Sequence, residues 1–345
     1  MLLRTSAGKK KGLEAVADAR GVIAALAIDQ RQAMRNLFAK ALKVDPASVP
    51  DQKLIQYKEA VSRVLTPYAS AILLDPEFGL PAAKQRAKTA GLLLAYEKTG
   101  YVDKIPGRLP NLLDHWSAQR LVEAGANSIK LLLYYSTSGA PAINDRKHAF
   151  VERVGAECAA ADVPFFLELV NYAEGMDEQG PDFARVKPEV VAGSMREFSN
   201  PRYQVDVLKV GVPVNIGYVQ GSPLAPSQFL YNREEAILHY RRAAESTHLP
   251  FIYLSQGVSN EAFQFALELA TEAGVKFGGV LCGRATWKDG VAVLVENGER
   301  ALDDWLATDG VRNIQNVNRG LSGATPWFAV NAAPRRTEDQ ECLSA

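Results

Sequence analysis

Histidine and cysteine are scarce in this 345-residue chain, and their scarcity excludes several kinds of site. The four histidines, His115, His148, His239 and His248, form no H-x-H, H-x-x-H or H-E-x-x-H pair, so the imidazole cluster that a zinc enzyme needs is missing. The three cysteines, Cys158, Cys282 and Cys342, lie far apart with no C-x-x-C spacing. That argues against a disulfide framework and for reduced thiols in the cytoplasm. There is no excess of either charge: 39 basic residues balance 39 acidic ones, and nothing marks a nucleic-acid or acidic-membrane partner. The apolar run at 22–28 is too short to span a bilayer and stops at Asp29. No G-x-G-x-x-G turn follows the first apolar segment, which removes the main signal for an open dinucleotide-binding sheet. Neither a metal nor an organic cofactor is called for.

What the chain does have is alternation. Short apolar runs at 22–29, 70–75, 91–96, 128–134, 164–170, 205–210, 250–254 and 279–283 are separated by amphipathic stretches such as 33–42, 117–124, 148–160, 234–244 and 261–273. The runs are apolar on both faces, as parallel strands covered by helices and enclosing a packed interior should be. Eight such units predict an α/β protein with a closed (β/α)₈ barrel occupying residues 1–330, since barrels of this size fold as one unit. Asn232, with Glu235 three positions on, predicts a capped helix start, and Ser259 predicts another. The segment 211–231 contains Gly217, Gly221, Pro213, Pro223 and Pro226, and reads as a long βα loop, either a wall of the site or an irregular surface loop. Residues 331–345 are polar and aperiodic, which predicts a flexible tail.

Five strands carry a charge at or near their ends that a plain core would not tolerate. Asp29 ends the first, Lys130 lies in Ser128-Ile129-Lys130-Leu131, Glu168 in Phe166-Leu167-Glu168-Leu169, Lys209 in Leu208-Lys209-Val210, and Arg284 follows Cys282-Gly283. Each alone could be a structural ion pair or a side chain reaching the rim. Together they point to a site, because catalytic groups of a barrel sit at the C-terminal ends of its strands. Two lysines with a carboxylate suit amine nucleophilic catalysis: one amine, its pKa lowered by burial and by the second ammonium, attacks a carbonyl. Glu168 would then move protons. The loops Leu254-Ser255-Gln256-Gly257 and Gly283-Arg284 follow the seventh and eighth strands, where barrels commonly bind phosphate. Arg31 is a candidate for a second anion.

On these residues the chain resembles the tagatose 1,6-bisphosphate aldolase family. The resemblance runs from about residue 24 to 328, through Ala27-Ile28-Asp29-Gln30-Arg31, Leu73-Leu74-Asp75-Pro76-Glu77, Asp206-Val207-Leu208-Lys209-Val210 and Leu281-Cys282-Gly283-Arg284-Ala285-Thr286-Trp287. It implies a (β/α)₈ barrel and a class I, Schiff-base lyase that cleaves a ketohexose bisphosphate to dihydroxyacetone phosphate and glyceraldehyde 3-phosphate. It further implies Lys209 as the Schiff-base residue, Glu168 as the acid/base group, and Asp29, Gln30, Arg31 and Lys130 lining the site. Leu254, Ser255, Gly283 and Arg284 would hold a phosphate, with no cofactor. The expected partner is a small sugar phosphate rather than nucleic acid or membrane; a homo-oligomer is left open. Two departures bear on the substrate: Gln32-Ala33-Met34-Arg35 stands where a Gly-Ala-Leu-Lys-like run is more frequent, so that Asp29-Gln30-Arg31-x-Ala33-Met34-Arg35 also resembles the sulfofructose 1-phosphate aldolases, and Gly211 stands where a glutamate is frequent. A non-catalytic barrel that binds sugar phosphates is the reading from another class.

Overall fold

In the computed structural model, residues 6–98, 107–224 and 229–329 are described. The eight apolar runs form strands β1 (Ile23–Ala27), β2 (Ala71–Leu74), β3 (Gly91–Ala95), β4 (Ser128–Tyr135), β5 (Phe165–Asn171), β6 (Val207–Gly211), β7 (Phe251–Leu254) and β8 (Gly279–Cys282). Each pairs in parallel with the next, and β8 returns to β1 to close the barrel. This is the expected (β/α)₈ architecture. The expected tail, Cys342 and Pro226 lie outside the described residues.

Among the described residues nine α-helices precede the last strand: α1 (Ala7–Val16), α2 (Gln32–Leu42), α3 (Asp51–Leu65), α4 (Leu80–Gln85), α5 (Ala118–Glu123), α6 (Pro141–Ala160), α7 (Pro181–Phe198), α8 (Arg233–Glu245) and α9 (Asn260–Glu272). Helix α8 opens with the expected reciprocal cap between Asn232 and Glu235, and Ser259 caps α9 by accepting from Ala262 N. Helix α6 starts two turns earlier than its apolar pattern suggests, because Pro141 supplies a preorganised first turn to a polar segment. Among the described residues no helix is long and apolar enough to cross a membrane.

The strands separate two cores by their two-residue period. One set of side chains faces the helices, among them Leu26, Ile72, Leu94, Leu131, Leu167, Leu208 and Tyr253. The other fills the barrel: Ile23, Ala25, Ala27, Leu73, Leu93, Ala95, Phe166, Val207, Ile252 and Leu281. Leu13 and Val16 of α1, with Trp327, join this interior cluster, and Trp327 N donates to Gly21 O at 2.9 Å. These three side chains pack under the end where the strands begin. The opposite end stays open.

Candidate active site

The period that fills the interior with apolar side chains continues into charged ones at the open end. Asp29 follows the inward-facing Ala25 and Ala27, Glu97 follows Leu93 and Ala95, Glu168 follows Phe166, and Lys209 follows Val207. Lys130 stands beside inward-facing Ala95 and Phe166 in the pairing register, and Glu168 stands beside Lys209. The fold therefore delivers five ionisable side chains to one layer of the barrel, all of them buried.

Lys130 is the centre of this layer. Its Nζ donates to Asp29 Oδ2 and to Glu97 Oε1, each at 2.7 Å. It also lies 2.9 Å from Glu168 Oε2, and Lys209 Nζ approaches that same oxygen to 2.8 Å. Both contacts with Glu168 Oε2 are ion pairs set off the hydrogen-bond direction. Burial alone would push the Asp29 and Glu168 carboxyls up, but the attraction of Lys130 and Lys209 outweighs it and holds both below the ordinary range. Burial would likewise favour a neutral Lys130. Asp29, Glu168 and Glu97 reverse that and raise its pKa well above that of a free lysine.

Three carboxylates, Asp29, Glu97 and Glu168, surround the Lys130 ammonium. The group that bears directly on Lys209 is Glu168, close enough to exchange its proton.

A cavity of about 600 Å³ opens above the layer. Asp29, Gln30, Arg31, Glu97, Glu168, Leu254, Ser255 and Arg284 line it, with Lys209 just beneath its floor against Glu168. The first strand's turn is fixed from behind by the fully buried Lys58 of α3, which donates to Ile28 O at 2.7 Å and Gln30 O at 3.0 Å and pairs with Asp75. Gln30 Nε2 donates to Asp29 Oδ1 at 3.2 Å, and its Oε1 has no partner among the described residues. Arg31 gives one guanidinium nitrogen to Glu77 at 2.6 Å and another to the Glu97 carbonyl at 2.7 Å. Only its Nε is left unpartnered among the described residues, so a second anion at Arg31 would meet a guanidinium already largely engaged.

The two glycine-containing loops meet at the far side of the mouth. Gln256 and Gly257 both adopt left-handed backbone, with φ of 51° and 80°, in a turn closed by Val258 N to Ser255 O at 3.1 Å. A Cβ on Gly257 would lie 2.9 Å from the Arg284 guanidinium carbon, so glycine serves both the backbone and the close approach. Gly283 packs on the Ala27 carbonyl, where a Cβ would come to 2.9 Å. The near part of the 211–231 loop does form a wall, through Val212, Asn215 and Ile216.

Two residues at the site, Glu97 and Lys187, escape sequence reasoning, and a third, Gln256, is visible only as part of its loop. Glu97 lies two residues past its strand, in a polar segment, and only the inward parity of Leu93 and Ala95 could have flagged it. Gln256 sits in a turn where a polar residue is ordinary. Lys187 lies on α7, where a lysine normally reads as part of a solvated face, yet it is 4% exposed and lines the cavity. Its Nζ donates to Gln256 Oε1 at 2.8 Å and to Val214 O at 3.2 Å, and burial lowers its pKa to about 7.

An amine whose folded pKa lies below its unfolded value of 10.5 costs stability in full below about pH 7, and the cost fades as pH rises toward 10.5. Lys187→Met is therefore expected to stabilise the fold at pH 7, by an amount on the order of a few kcal/mol. The gain should shrink at pH 10 in urea titrations.

Comparison with known proteins agrees with this geometry. A family model described as "DeoC/LacD family aldolase" matches residues 23–289. Tagatose 1,6-diphosphate aldolase 2 of Enterococcus faecalis is 53% identical over 330 residues, covering 95% of this chain and 98% of that protein. Tagatose 1,6-diphosphate aldolase of Staphylococcus aureus is 50% identical over 321 residues, covering 92% and 97%. Among solved structures, a Schiff base forming fructose-1,6-bisphosphate aldolase superposes with a TM-score of 0.54 at 13% identity, over 88% of this chain and 96% of that one. An archaeal fructose 1,6-bisphosphate aldolase gives 0.51 at 14% identity, over 86% and 96%. At such low identity the last two likenesses show the fold alone.

Proposed function

The chain belongs to the DeoC/LacD family of aldolases, and from that premise we propose that it cleaves tagatose 1,6-bisphosphate reversibly to dihydroxyacetone phosphate and glyceraldehyde 3-phosphate, through a Schiff base on Lys209. One observation carries the reading: Lys209 Nζ lies 2.8 Å from a buried carboxylate oxygen at the floor of the cavity. An ammonium is no nucleophile, and Glu168 is the base within reach of its proton.

The chemistry follows from that contact. Glu168 takes a proton from the Lys209 ammonium, and the freed amine adds to the ketose C2 carbonyl. The resulting carbinolamine oxygen leaves as water, taking a proton from Glu168, and an iminium forms. Loss of the C4 hydroxyl proton to a carboxylate at the cavity floor breaks the C3–C4 bond. The electron pair moves into the iminium to give an enamine, and the aldehyde departs. The carboxylate that took the C4 hydroxyl proton returns it to C3, and water adds to the iminium to release dihydroxyacetone phosphate and restore the Lys209 ammonium. Lys130 stays an ammonium throughout, holding Asp29, Glu97 and Glu168 in register. Ser255 and Arg284, with the backbone at Leu254 and Gly283, take a phosphate; Gln30 and Arg31 face the sugar. The names of the relatives at 50–53% identity support the tagatose substrate, and a cytoplasmic location is part of the same proposal.

The test is a comparison of cleavage rates on tagatose 1,6-bisphosphate, fructose 1,6-bisphosphate and sulfofructose 1-phosphate. The highest kcat/KM is expected on tagatose 1,6-bisphosphate. A strong preference for the sulfonate would overturn the substrate, and stoichiometric binding without turnover would overturn the enzyme.

A further inference from the structure

We propose that Lys187 binds substrate. It is the second cation of the anion site, standing across the Ser255–Gly257 turn from Arg284, and it takes the same tetrahedral oxyanion of the sugar, phosphate or sulfonate. The inference rests on the cavity being the site of an anionic ketose.

Three observations carry it. First, Lys187 is buried with only neutral partners, the Val214 carbonyl and the Gln256 amide oxygen, and no carboxylate lies within ion-pair distance among the described residues. An ammonium in that setting calls for a counterion, and the cavity it lines is where one can arrive. Second, Gly211 is the next inward-facing position above Lys209. Its missing side chain leaves a space that the Gln256 amide fills, 2.8 Å from where a Cβ would sit. The Gln256 amide that Lys187 holds therefore lies over the nucleophile rather than out on the rim. Third, the turn itself is built for an anion. The Arg284 guanidinium lies over Gly257, and the backbone N–H groups of Gln256 and Gly257 have no acceptor among the described residues. The lowered pKa fits this arrangement, since an oxyanion beside the amine draws a proton onto it.

The experiment titrates the intact protein calorimetrically with inorganic phosphate and with sulfate, which needs no turnover. Wild type is compared with Lys187→Met, Lys187→Arg and Gly211→Glu. The last keeps the lysine and supplies an internal carboxylate; its Cβ meets only the end of the flexible Gln256 side chain. Lys187→Met and Gly211→Glu should each weaken anion binding roughly ten- to hundredfold, and Lys187→Arg should restore most of it. In steady-state cleavage, Lys187→Met should raise KM for the phosphorylated ketose by a similar factor while kcat changes far less. The anion bound more tightly by wild type identifies phosphate or sulfonate as the natural group, and either preference supports the site. Anion binding unchanged in both Lys187→Met and Gly211→Glu would overturn the proposal. So would a loss confined to kcat. Wild-type protein that binds the anions through Lys187 but cleaves no ketose would sink the aldolase reading and leave this inference standing.

Discussion

Lys209→Ala is expected to lower kcat/KM for ketose bisphosphate cleavage by about four orders of magnitude or more, with the fold intact. The reasoning is that the substitution removes the only proposed nucleophile, so what is left is binding and the electrostatics of the site. Glu168 keeps Lys130 as a partner at 2.9 Å when Lys209 is gone, so no buried carboxylate is abandoned. Thermal melting should therefore shift by a few degrees at most, while steady-state rates collapse. Retention of more than about a tenth of wild-type kcat would move the nucleophile elsewhere.

Lys130→Met should do the opposite in emphasis, striking stability as hard as activity. The lysine is fully buried and holds Asp29, Glu97 and Glu168 within 2.9 Å of its Nζ. Removing one partner of a buried ionic cluster costs about 3–5 kcal/mol, because the charges left behind stay desolvated. The sign with pH follows from the carboxyls. In wild type, Asp29 and Glu168 titrate below their ordinary values of 3.8 and 4.5, so their contribution is present above those values and is lost only as pH falls through the depressed ones. Without Lys130 the same carboxyls rise, and the penalty grows as pH climbs past about 4.5. Urea titrations should show a wider gap between wild type and variant at pH 7 than near pH 4, where only the wild-type contribution of the depressed carboxyls is left. An equal gap at both would mean that Lys130 acts by packing alone.

The barrel was legible because its strands are covered on both sides. Runs such as Ala71–Leu74 and Gly91–Ala95 are apolar without alternation, and that pattern is hard to produce in any other way. The same property made the site visible: Asp29, Lys130, Glu168 and Lys209 stand out as charges in apolar strands, and the structure gathers all four around one carboxylate oxygen and one ammonium. Residues beyond the strands stayed hidden. Glu97 belongs to the same inward row but falls after its strand has ended. Lys58 reaches the Asp29 turn from a surface helix, and Lys187 reaches the cavity from another. On a helix, a lysine that snorkels to water and one that turns inward have the same local sequence, so only packing separates them. The balance around Lys130 was also invisible, since a charge's sign is in the sequence but its compensation is not.

The measurement that bears most directly on the central claim is reductive trapping. Intact protein is incubated with dihydroxyacetone phosphate and borohydride, then digested and its peptides weighed. A stable added mass is expected on Lys209, and none in Lys209→Ala. No adduct on wild type, or one that persists in Lys209→Ala on Lys187 or Lys130, would contradict it.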